Sequence, residues 1–111
     1  PTVYGTGSQT RDFVFVKDVV RALRLAGQNR KVTGEVINVG SGVQISVKAL
    51  LRSIQDSLNI HTPPRYAPRK AGDDPRTCAD TRKARRLLGI RSLTPFPKGL
   101  AITLAWFKAH P

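Results

Sequence analysis

Apolar residues recur along this chain at two periods, and the changes between them mark its elements. Thr2–Tyr4 is a short β-prone run closed by the turn Gly5-Thr6-Gly7-Ser8. Thr10–Val16 (TRDFVFV) is rich in Val and Phe and predicts a second strand, so that the chain opens on a hairpin. From Asp18 to Ala26 the period becomes helical, with Val19, Val20, Ala22, Leu23 and Ala26 on one face and Gly27 as the C-cap. Lys17 stands near the start of this helix, where the helix dipole disfavours a cation. Gly34 introduces Glu35–Val39, a short strand that Gly40-Ser41-Gly42 ends.

The clearest helix follows. Ser46 is a good N-cap, and Val47, Leu50, Leu51, Ile54 and Leu58 make a continuous apolar stripe. Pro63-Pro64 bars its continuation, and Arg65–Pro68 reads as extended. Asp80 is the expected cap of a third helix that runs through Leu87-Leu88 to Gly89. Thr94-Pro95 opens a last helix with Pro in its first position. Leu100, Thr103, Leu104 and Phe107 form its expected buried face, with Trp106 beside them. Strands alternating with helices predict an α/β or mixed α+β fold. The Glu35–Val39 strand lies between helices, as in a parallel sheet with crossovers, and its ladder partners are expected outside this chain.

Composition narrows the classes. The chain has 111 residues, 40% hydrophobic and 23% charged, which is globular. Its apolar runs fall short of the ~18–20 residues a membrane span needs, so no membrane partner is expected. The opening residues lack the apolar core of a signal peptide. A single cysteine, Cys78, excludes an internal disulfide and fits a reducing compartment, so the expected location is cytoplasmic. Two histidines and one cysteine are too few for an ordinary zinc site. No methionine occurs, so Pro1 is expected to be a processed or cut end. Lys and Arg number 19 against 7 Asp and Glu, a net charge of +12 that attracts polyanions without choosing among them.

Several short motifs carry candidate chemistry. Gly40-Ser41-Gly42 follows a strand like the start of a dinucleotide fingerprint, but Ile45 stands where the third glycine belongs, and the run reads as a turn. Tyr66-Ala67-Pro68-Arg69-Lys70 has the Tyr-x-x-x-Lys spacing of an acid–base pair. That chemistry needs both side chains on one helical face, and Pro68 biases Ala67 out of helix. Arg11, beside Asp12 after a glycine turn, is either a surface arginine or a guanidinium for phosphate. Lys70-Ala71-Gly72-Asp73-Asp74 is either a charged turn or a cation for a diphosphate with a carboxylate for sugar hydroxyls. Arg82, Lys83, Arg85 and Arg86 form a solvated face or a nucleic-acid contact. Cys78 reads as a small filler, and His61 and His110 receive no role.

Four segments in register then carry a family resemblance across essentially the whole chain. TVYGTGSQTRDFVFVKDVVRA (2–22), GEVINVGSG (34–42), KAGDDPRTCADTRKARRLLG (70–89) and GLAITLAWFKAHP (99–111) resemble the C-terminal portion of NAD-dependent nucleotide-sugar epimerases and dehydratases. These are the extended short-chain dehydrogenase/reductases, UDP-glucose 4-epimerase-like enzymes among them. The resemblance implies a base-embracing segment at Thr2 and Tyr4, with Thr2 acting partly through its backbone. It implies a diphosphate arginine at Arg11, a phosphate contact at Asn38, a diphosphate cation at Lys70 and a ribose carboxylate at Asp73. Lys70 replaces the usual arginine and loses its planar fork, and Arg69 next door is the expected substitute. Lys17 replaces a common acidic residue.

The resemblance also implies what lies elsewhere. The Gly-rich NAD loop and the working Tyr-x-x-x-Lys helix belong upstream in the family. Residues 1–111 are therefore expected to be a single partial domain, substrate-binding, with one late Rossmann strand at 35–39. The family are isomerases or lyases that use NAD, but this chain alone is expected to bind no cofactor and to perform no hydride transfer. The expected partners are a nucleotide-diphosphate sugar (a UDP-sugar foremost), the N-terminal Rossmann half, and a second copy through an open sheet edge. The alternative is a basic module for nucleic acid or protein interaction.

Overall fold

The computed structural model describes residues 1–91 and 93–111. In chain order it has β1 (Thr2–Tyr4), β2 (Thr10–Arg11), α1 (Val16–Gln28), a 3-10 turn (Arg30–Val32), β3 (Ile45–Ser46), α2 (Val47–Leu58), β4 (Arg65–Ala67), α3 (Arg82–Leu88) and α4 (Phe96–Ala109). The fold is mixed α/β, with short strands between helices.

Local signals are obeyed most closely in α2. Ser46 Oγ accepts from the Ala49 amide at 3.1 Å, and the stripe Val47, Leu50, Leu51, Ile54 and Leu58 is half-buried. The helix stops at left-handed Asn59, before the two prolines. Two other amides at its start, those of Val47 and Lys48, donate to the carbonyls of Gln9 (3.0 Å) and Gly7 (2.9 Å). These bonds satisfy donors a helix end leaves orphaned and dock the Gly5–Ser8 turn on α2. A Cβ at Gly7 would meet Lys48 Cγ at 2.8 Å, so the docking needs glycine there. In α3 the end at Gly89 is as expected; Thr81 holds the cap position, while Asp80 accepts from the Arg82 amide at 3.0 Å.

Pairing between distant segments departs from the sequence expectations. There is no opening hairpin. β1 pairs in parallel with β4, Thr2 opposite Arg65 and Tyr4 opposite Ala67. β2 pairs antiparallel with β3, Thr10 opposite Ser46. Of the expected strand Thr10–Val16 only Thr10–Arg11 is paired; Asp12 bonds through its side chain instead of a ladder, and Val16 already belongs to α1. Among the described residues Glu35–Val39 forms no ladder.

The core joins α1 to α3. Ala22, Val32, Leu88 and Ile90 are buried, with Leu25, Ala26, Ile37 and Val39 packed against them. Asn29 Nδ2 donates to the Leu87 carbonyl at 2.8 Å, and the buried carboxylate of Asp18 accepts from the Thr94 amide at 2.8 Å. This packing turns Ala22, Leu25 and Ala26 inward. Val16, Val20 and Leu23 are left 64%, 58% and 67% exposed, so Val20 and Leu23 lie outside the buried face expected for them. Gly27 is not the cap; α1 runs through it to Gln28, and Asn29 ends the helix. Pro95 caps α4 from outside, with Pro97 in the first turn. Leu100, Thr103 and Leu104 are half-buried, but Phe107 and Trp106 are exposed. The last turns of α4 project beyond the elements that could cover them. Cys78 is likewise exposed and fills no core. Among the described residues no helix is long and apolar enough to cross a membrane.

Candidate functional site

The glycine turn after β1 faces the loop after β4 across a cleft of about 510 Å³. Backbone bonds brace both walls: the Gly5 amide donates to Ala67 (2.8 Å), Thr10 to Pro75 (3.0 Å) and Thr77 to Thr10 (3.2 Å). Gln9 Nε2 closes the turn on the Tyr4 carbonyl at 2.8 Å. Gly5, Ser8 and Gln9 line it together with Arg69, Asp73 and Arg76.

Residues far apart in sequence meet beside this cleft, at Asp73. The Arg11 guanidinium donates through Nη1 to the carbonyls of Thr10 and Asp74, each at 2.8 Å, and through Nη2 to the Asp73 carboxylate. Those bonds use three of its five N–H donors and leave two for another acceptor. The Asp73 side chain is partly buried beside it. Arg69 Nη2 donates to the Asp73 carbonyl. Lys70 takes a different direction: its Nζ lies 4.2 Å from the centre of the Tyr4 ring, a cation–π contact. The structure thus brings together Arg11 and Asp73, and separately Tyr4 and Lys70. Thr2 and Asn38 are exposed and line no part of the cleft.

Behind β2 lies a feature the sequence reading did not single out. The Asp12 carboxylate accepts from the Ser41 amide (2.7 Å), Ser41 Oγ (2.6 Å), the Gly42 amide (2.9 Å) and the Ala79 amide (3.1 Å). Burial alone would raise its pKa; the Ser41 hydroxyl and the three amides outweigh burial and hold it below the ordinary value of 3.8. A Cβ on Gly40 would stand 2.4 Å from Ala79 Cβ and 2.6 Å from Asp12 Oδ2, so Gly40 lets these three segments close.

That cradle decides how Gly40-Ser41-Gly42 is read. A pyrophosphate needs free backbone amides at a glycine turn. The Ser41 and Gly42 amides already serve Asp12, and the space at Gly40 is filled, so Gly40-Ser41-Gly42 does not fit an NAD pyrophosphate. Tyr66 lies on β4 and Lys70 in the loop beyond it, not on one helical face, so the Tyr-x-x-x-Lys spacing carries no acid–base pair here.

The basic stretch at α3 is partly neutralised within the chain. Lys83 Nζ meets Glu35 at 2.5 Å, and Arg82 meets Asp80 at 2.6 Å. The Arg82 side chain holds Asp80 down to about 2, and Lys83 lowers Glu35. His110 stacks on Trp106 at the end of α4, and His61 faces Asp56 across 3.9 Å.

Comparison with known proteins gives this arrangement its family. The model of the family described as GDP-mannose 4,6 dehydratase matches residues 1–103, and the chain belongs to that family. A UDP-glucose 4-epimerase of Mycolicibacterium smegmatis is 36% identical over 106 residues, covering 96% of this chain and 34% of that protein. The epimerase Mth375 of Methanothermobacter thermautotrophicus superposes with a TM-score of 0.93 at 36% identity, over 97% of this chain and 32% of its own. MoeE5, solved in complex with UDP-glucuronic acid and NAD, gives 0.93 at 33% identity, over all of this chain and 37% of its own. The fold is therefore part of the extended short-chain dehydrogenase/reductase fold, as the resemblance implied. The chain spans about a third of the length of the relatives it matches.

Proposed function

We propose that residues 1–111 are the C-terminal, substrate-gripping part of an NAD-dependent nucleotide-sugar epimerase or dehydratase. The observation that carries this reading is the bond of Arg11 to Asp73, 62 residues away, which itself lines the cleft. A guanidinium with two spare N–H donors suits a diphosphate, and a carboxylate beside it suits the hydroxyls of a ribose. Tyr4 and Thr2, on the strand leading into the glycine turn, are assigned to the base. The resemblance alone assigns Lys70 and Asn38 to the phosphates; Lys70 lies over the Tyr4 ring and Asn38 lines no part of the cleft, so neither carries the reading. The net charge of +12 draws such an anion toward the cleft. The named relatives that act on or bind UDP-sugars make a UDP-sugar the substrate of choice.

On this reading hydride transfer belongs to residues outside this chain, the Ser41 and Gly42 amides being already engaged by Asp12. The chain is cytoplasmic and works joined to a Rossmann half that holds NAD.

Calorimetric titration of UDP-glucose into the protein tests the reading. Replacing Arg11 with Ala removes charge-assisted hydrogen bonds and is expected to weaken binding by about 10- to 100-fold. Unchanged affinity, or no binding by the parent protein, defeats it.

A further inference from the structure

A second cavity, of about 230 Å³, lies between α3 and the Gly40-Ser41-Gly42 turn and shares no lining residue with the cleft described above. Val39 and Ile90 give it apolar wall, and Arg85, Arg91, Thr81 and Ser41 give it polar wall. The cations of α3 divide between internal pairing and this cavity. Arg82 is spent on Asp80 and Lys83 on Glu35, and Arg86 also acts on Glu35. Of these four, only Arg85 lines the cavity. Arg91 joins it because Gly89, at φ +67°, turns the chain out of α3 and Ile90 is then anchored in the core. Among the described residues neither Arg85 nor Arg91 has an ion-pair partner. The carboxylate behind Ser41, that of Asp12, is already met by four hydrogen bonds.

We propose that this cavity is a separate anion site, which takes one small dianion of the phosphate class through Arg85 and Arg91. Two planar guanidinium forks can each meet a tetrahedral dianion through paired N–H donors. The Ser41 hydroxyl is committed to Asp12 and to the Val43 amide, so the Thr81 hydroxyl is the further donor. The apolar wall keeps part of the site dry and strengthens each charged contact. Size sets the ligand: the cavity lies below the ~300–1,000 Å³ of sites for drug-sized ligands, so a phosphate group fits and a nucleotide does not. Free inorganic phosphate and the phosphate of a small ester share this chemistry. The proposal does not rest on the nucleotide-sugar reading.

The test follows the arginine side-chain ¹⁵N–¹H signals of the full chain during titration with inorganic phosphate, methyl phosphate and UDP. Saturable shifts at Arg85 and Arg91 with inorganic phosphate are expected, with Arg82 and Arg86 unmoved. Methyl phosphate binding as well as the free ion assigns the site to esters, and weaker binding assigns it to the free ion; both sustain the proposal. Arg85→Gln and Arg91→Gln are each expected to weaken phosphate about tenfold, the worth of a charge-assisted hydrogen bond. Arg85→Lys with Arg91→Lys keeps the charge and loses the forks, and is expected to weaken it less. Arg86→Gln removes the same charge from the same helix and is expected to change the affinity less than about threefold.

Shifts that never saturate overturn the proposal. So does a loss on Arg86→Gln equal to that on Arg85→Gln, which would mean attraction by the whole basic face. UDP shifting Arg85 and Arg91 as readily as phosphate does also overturns it, because the site would then not select by size. The nucleotide-sugar reading is judged separately, by whether UDP moves Arg11.

Discussion

The Asp12 carboxylate holds Ser41 twice, through its amide at 2.7 Å and its hydroxyl at 2.6 Å, across 29 residues of chain. With the Gly42 and Ala79 amides it ties the segment after β2 to the glycine turn and to the approach to α3. This contact keeps the strand that carries Arg11 in place.

Removing it is expected to be costly. Asp12→Ala leaves partly buried amides without an acceptor and is expected to destabilise the protein by about 2–4 kcal/mol, read by denaturant unfolding. The carboxylate also sets an acid limb. Its folded pKa lies below the ordinary 3.8, so the unfolded chain binds a proton more readily in acid. Its contribution is complete above that value and is lost as pH falls through the lower folded pKa. Asp12→Asn is expected to shrink the loss of stability below about pH 4, where the free carboxylate titrates. An unchanged acid limb would show that the contact carries little.

Gly40 and Gly27 are expected to respond oppositely to alanine. At Gly40 the new Cβ meets Ala79 and Asp12 inside 3 Å, and Gly40→Ala is expected to cost about 1–3 kcal/mol by overpacking. At Gly27 nothing lies within 4 Å and the residue is helical, so Gly27→Ala is expected to gain about 0.4–1 kcal/mol. Thermal melts of the two variants check both signs.

Helix α1 supplies a third expectation. Val16, Val20 and Leu23 stand exposed in a row, and Val36, in the segment without strand partners, is 82% exposed. Such a surface favours association. Val20→Lys with Leu23→Lys is expected to lower self-association of the 111-residue chain in light scattering, with stability changed by no more than about 0.5 kcal/mol. A parent chain that stays monodisperse at high concentration contradicts this.

What was legible in the sequence follows the range of the interaction. Ser46 and the stripe of α2 are local, and both are where the pattern puts them. Gly89 ends α3 for the same reason. The hairpin expectation failed because Thr2–Tyr4 finds its partner at Arg65–Ala67, a choice no local signal encodes. Phe107 and Trp106 read as core because they are apolar, but burial depends on a neighbour, and α4 has none at that end. In the site, Arg11 and Asp73 were legible through motif position. Arg76 was not: it lies within the 70–89 segment but drew no role there, and the bridge between its segment and Thr10 brings it to the cleft. Asp12 was visible only as the neighbour of Arg11, its role depending on three loops meeting.

The most direct test of a nucleotide-binding cleft is an arginine side-chain ¹⁵N–¹H spectrum of the protein titrated with UDP. Saturable shifts at Arg11, Arg69 and Arg76, with Arg82, Arg85 and Arg86 unmoved, are the expected result. Shifts confined to the α3 arginines, or none that saturate, would contradict the account.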